Sequence, residues 1–69
     1  MVRIRHLPAH VIKVRLRRAG YRQVDVAARS ETNAAVVCDT IHRRLHNARA
    51  EKVWRTIEIM VGESQEGTT

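Results

Sequence analysis

Gln23-Val24-Asp25-Val26-Ala27-Ala28-Arg29-Ser30-Glu31-Thr32-Asn33-Ala34-Ala35-Val36-Val37-Cys38-Asp39-Thr40-Ile41 divides into two short apolar runs around the polar break Ser30–Asn33. Val24, Val26, Ala27 and Ala28 precede the break. After it, Val37 and Ile41 stand one helical turn apart, with Cys38 and Thr40 beside them. This spacing predicts helices over 22–29 and 33–44 joined by a tight turn. Ala27 is small enough to let the two helices cross closely, and Val37 and Ile41 plug the second helix onto the first. The opposite face of the second helix is then left free.

The flanking residues extend this to an all-α domain of four helices over residues 8–62. Pro8 suits a first helical turn, where its missing N–H costs nothing. Ile12, Leu16 and Ala19 make a narrow apolar stripe, and Gly20 follows as a helix-ending residue, so helix one is placed at 8–19. Asn33 is suited to cap helix three. Val53, Trp54, Ile57, Met60 and Val61 form the wide apolar face of a helix over 49–61, with Gly62 as its stop. Residues 63–69 are polar and acidic and read as a disordered tail. Residues 1–7 read either as a flexible basic arm or, from the alternation Val2-Arg3-Ile4-Arg5, as a short strand.

Charge is distributed unevenly. Residues 1–29 carry eight basic side chains against one acid, Asp25, whereas residues 30–69 carry five against six. A localised positive field selects for a polyanion, because each neutralised phosphate releases counterions. The free face of helix three fits a DNA major groove, and the whole unit has the form of a helix-turn-helix.

Other function classes find little support. The longest apolar run, Ala34–Cys38, is far below the roughly 20 residues that span a bilayer, and no apolar core follows Arg3 and Arg5 as a signal peptide requires. A single cysteine implies a reducing, cytoplasmic setting. Cys38, His42 and His46 follow at four-residue steps, but eight residues of helix cover about 12 Å, against metal bonds of about 2.0–2.3 Å. No metal or other cofactor is expected. The carboxylates are scattered among arginines, there is no glycine-rich phosphate loop, and little room exists for a small-molecule substrate. The chain is not expected to be an enzyme.

The runs Ile12–Tyr21, Gln23–Arg29 and Val36–Arg44, in that order and spacing, with Ile57 and Val61-Gly62 after them, resemble the phage-repressor (Cro-type, Xre) helix-turn-helix family. They are most similar to its small Ner-like phage regulators. The resemblance covers about residues 9–62. It implies a lambda-repressor-like four-helix domain that binds operator DNA and regulates transcription of phage or prophage genes. The family usually places glycine at the turn, where φ is positive. Glu31 stands there, at a cost of roughly 1 kcal/mol. Either the turn is strained or Asn33 takes the left-handed conformation instead.

Asn33, Ala35 and Asp39 are the candidate base contacts. Asn can bond adenine twice, an alanine methyl can touch a thymine methyl, and Asp can accept from a cytosine amine. A pure cap is the equal alternative for Asn33, and a pair with Arg43 or a solvated charge the alternatives for Asp39. Arg22, Gln23, Arg43, Arg44 and Arg49 are the phosphate candidates. A single reading helix covers few base pairs, so a homodimer on double-stranded DNA is expected. Ile59 lies off the apolar stripe and Trp54 is the large aromatic of helix four; both are candidate dimer contacts, with core packing the alternative for Trp54. Two competing readings use the same residues differently. One is a protein-interaction adaptor or inhibitor on this fold; the other is a ribbon-helix-helix dimer reading DNA with Arg3 and Arg5. An architectural or RNA-binding protein would need only the basic field.

Overall fold

A computed structural model describes the backbone of residues 4–66 and side chains as far as Gly62. Its four helices are α1 (Ala9–Arg18), α2 (Gln23–Arg29), α3 (Ala34–Ile41) and α4 (Ala48–Glu66). The described residues contain no strand. Among the described residues no helix is long and apolar enough to cross a membrane.

α4 is the element on which α1, α2 and α3 all pack, and α2 also packs on α3. The reason is its apolar face: Val53, Trp54, Ile57, Met60 and Val61 are all buried. Onto that face come Ile12 and Leu16 from α1, Val26 and Ala27 from α2, and Val37 and Ile41 from α3, making one core. Removing such side chains from water contributes about 1.5–3 kcal/mol each, the main stabilising term in so small a domain. Two hydroxyl groups are buried with their hydrogen bonds made. The Ser30 hydroxyl donates to the Val26 carbonyl (2.7 Å), and the Thr40 hydroxyl donates to the Val36 carbonyl (2.8 Å).

Helix starts are set by local chemistry. Pro8 lies just before α1, not inside it, and its carbonyl accepts from Val11 and Ile12 N–H. At α2 the Asp25 carboxylate accepts from the Arg22 N–H at 2.7 Å. Asn33 caps α3, its Oδ1 accepting from the Val36 N–H at 2.9 Å. Asn47 does the same for α4, accepting from Ala50 N–H at 3.0 Å.

The first three helices end alike. Gly20 (φ 87°), Glu31 (φ 58°) and Arg43 (φ 60°) each occupy the left-handed region one residue past the cap. In each case the following N–H bonds back around the helix end: Tyr21 to the Leu16 carbonyl (3.0 Å), Thr32 to Ala27 (2.9 Å) and Arg44 to Asp39 (2.8 Å). This is the Schellman arrangement, which satisfies carbonyls the helix itself leaves unpaired. The turn before α3 is therefore made by Glu31, with Asn33 in extended backbone (φ −127°).

Three expectations are corrected. Helix three ends at Ile41, not Arg44, because Arg43 turns left-handed and reverses the chain. Helix four does not stop at Gly62. Gly62 is buried and the helix runs on through Glu66. The expected strand is absent at Ile4 and Arg5. Ile4 is fully buried in the core, and the Leu7 N–H closes a turn onto the Ile4 carbonyl at 3.0 Å. Met1–Arg3 and residues 67–69 lie outside the described residues.

Both non-glycine turn residues carry the same backbone strain but differ in what their side chains do. The Glu31 carboxylate meets Lys52 at 3.1 Å on the surface, where such a pair contributes little. The Arg43 guanidinium donates to the carbonyls of Arg5 and Leu7 and lies over the Trp54 ring. Glu31→Gly should therefore raise the melting temperature by about 2–4 °C. Arg43→Gly should lower it despite relieving the same strain, by roughly 1 kcal/mol or more in stability. Thermal unfolding of both variants beside the parent checks this; a drop in the first or a rise in the second contradicts it.

Candidate nucleic-acid interface

α2 and α3 pack on each other, with Ala27, Val37 and Ile41 all buried in the common core. That contact decides which side of α3 remains available. With Val37, Thr40 and Ile41 turned inward, Asn33, Ala35 and His42 are exposed, and Ala34, Cys38 and Asp39 are half-buried. The N-terminal part of this face is small and uncharged.

The polar groups along α3 already have partners within the chain. Asn33 spends its carbonyl oxygen on the cap, leaving its amide N–H groups for another acceptor. Asp39 lies 4.0 Å from Arg44. His42 Nε2 is 2.8 Å from Lys13 Nζ, which ties the end of α3 to α1.

α1 and the start of α2 form a groove lined by Lys13, Leu16, Arg17, Tyr21, Arg22 and Gln23, with a volume of about 560 Å³. Three of these six are cations, so the expected phosphate candidates Arg22 and Gln23 share a site with Lys13 and Arg17. Lys13 links this groove to the α3 terminus through His42. The spacing of Lys13 and Arg17, one turn apart on α1, was a signal for their shared face. Their approach to Arg22 depends on how α1 docks, which no local pattern specifies.

The other phosphate candidates are dispersed. Arg44 and Arg49 are exposed. Arg43 is held against the Arg5 and Leu7 carbonyls, so its guanidinium is already engaged in joining α3 to the N-terminal segment. Of the dimer candidates, Trp54 is 8% exposed within the core, while Ile59 is 47% exposed.

Arg5, the candidate reader in the ribbon reading, is bound to α4. Its guanidinium donates to Glu51 at 2.6 Å and to Glu58 at 3.3 Å. These contacts hold the Arg5 pKa above its ordinary value, first through the Glu51 hydrogen bond and then through the charge of Glu58, against a lowering by burial. Glu58 is only 5% exposed, and Arg5 is its recorded ion-pair partner. Arg3 lies outside the described residues.

Comparison with protein-family models, curated proteins and solved structures found no match. The family resemblance accordingly rests on the residues themselves.

If Arg5 serves the fold, its loss should act through Glu58. Arg5→Ala should lower stability by roughly 2 kcal/mol, because it strands a mostly buried carboxylate. Glu58→Met in the same chain should recover most of that loss. Denaturant unfolding of the two single variants and the double variant reads the coupling. Additive effects would remove the assigned role.

Proposed function

We propose that the protein is a sequence-specific DNA-binding transcriptional regulator of the helix-turn-helix type. In this reading α2 and α3 form the reading unit, and two copies bind one operator. The observation that carries it is the α2–turn–α3 unit: it buries Val37, Thr40 and Ile41, leaves the Asn33–Ala35 end of α3 exposed, and adjoins the Lys13–Arg17–Arg22 groove through the Lys13–His42 contact. A helix end free of bulk can approach base edges closely, and the cations beside it can meet the phosphate backbone. Asn33, through its amide, Ala35 and Asp39 are the base-contact candidates. Arg22, Gln23, Arg44 and Arg49 are the phosphate candidates, with Lys13 and Arg17 added to them. The family resemblance implies operators of phage or prophage genes.

A second reading, a protein-interaction adaptor on the same fold, draws on the neutral Ala34–Ala35 end and on the partners already held by Asp39 and His42. Titration against random duplex at two salt concentrations, followed by selection from a random pool, separates the readings. A regulator enriches a motif, an architectural binder shows only the salt dependence, and an adaptor shows neither.

Within the regulator reading, Arg22→Ala and Arg44→Ala should weaken binding to all sequences alike. Each should reduce the slope of log K against log salt by about 0.9, the loss of one phosphate contact. Binding isotherms across a salt series measure this, and a changed sequence preference in either variant would reassign that arginine to base reading.

A further inference from the structure

The cap of α3 decides which atom of Asn33 is left facing outward. Its Oδ1 accepts from the Val36 N–H at 2.9 Å, and its backbone carbonyl accepts from the Val37 N–H at 3.1 Å. Both of its oxygens are therefore engaged in the helix. The side-chain Nδ2 has no hydrogen-bond partner among the described residues, and the residue is exposed. An amide that pairs twice with adenine presents its nitrogen and its oxygen along one outer edge. The nitrogen donates to N7 and the oxygen accepts from N6. With the oxygen turned into the helix end that edge is broken, and a donor alone remains outside. Ala34 and Ala35, which follow, add no polar side-chain atom.

We propose that Asn33 reads the exocyclic oxygen of guanine or thymine and rejects adenine and cytosine, which carry an amine at that place. In the regulator reading, on which this assignment rests, it names the class of base that α3 takes. Guanine offers O6 and N7, two acceptors and no donor, and thymine offers O4. Adenine keeps N7 but sets an amine beside it. That amine and the Asn33 Nδ2 would meet donor to donor, and an unpaired donor costs more than a bond that is merely missing. The small side chains of Ala34 and Ala35 leave the amide room to approach a base edge.

Asn33→Asp exchanges the outward atom and keeps the cap, because aspartate caps as well as asparagine. One carboxylate oxygen takes the Val36 N–H; the other faces out, an acceptor where the parent has a donor. Motifs are selected from a random duplex pool with the parent and the variant, which identifies the base pair that responds. Affinities are then compared on the parent's motif and on the same motif with that one pair inverted. Inversion exchanges the exocyclic oxygen facing residue 33 for an amine. The parent should prefer its own motif about tenfold, and Asn33→Asp should prefer the inverted one. The added charge weakens binding to both duplexes alike and cancels in the ratio. Asn33→Ser, which retains a capping oxygen and lacks the amide, should bring the ratio to within about twofold of unity. Thermal unfolding checks that both variants are folded. If the parent selects a motif but no pair responds, or Asn33→Asp keeps or merely loses the parent's preference, the assignment is overturned and the regulator reading stands. A parent that selects no motif overturns the regulator reading itself.

Discussion

Everything in this small domain depends on the buried face of α4. α1, α2 and α3 are ten residues or fewer each, lengths at which an isolated helix is not stable in water. They persist because Val53, Trp54, Ile57, Met60 and Val61 offer each of them a surface on which to exclude water. Since α3 is positioned by that same surface, the open side of α3 is a consequence of packing on its far side. Stability and the shape of the candidate interface are therefore one problem.

The helix ends show how strain and side-chain use are balanced. The same reversal is made three times, once with glycine and twice without. At Arg43 the side chain that makes the backbone costly also reaches the N-terminal segment and the Trp54 ring. At Glu31 the exposed pair with Lys52 offsets much less. Two sites of equal backbone geometry thus carry different constraints on what may replace them.

Much of the architecture was legible in the sequence because apolar periodicity reports burial directly. The stripes at Ile12 and Leu16, at Val37 and Ile41, and along α4 mark residues that are buried, and Asn33 announced its cap. What failed was punctuation. Arg43 gives no signal of a left-handed turn, so helix three was extended past it. Gly62 looks like a stop, but a buried glycine within a packed helix costs only about 1 kcal/mol and the packing overrides it. The alternation at residues 2–5 resembled a strand because Ile4 is apolar between arginines; that Ile4 reaches the core and Arg5 reaches Glu58 depends on residues more than fifty positions away. Of the candidate interface, the exposed face of α3 was readable, while the grouping of Lys13, Arg17 and Arg22 arises only from the docking of α1.

The clasp between the beginning of the chain and α4 also orders events during synthesis. Ile4 and Arg5 are made well before the side chains that receive them, Glu51, Glu58 and the α4 apolar face. Until then a buried-type isoleucine and the Arg5 guanidinium lack their α4 contacts, and closing so long a loop is entropically slow. α2 and α3 can meet each other as they emerge, but the α4 face on which both pack follows them in the chain.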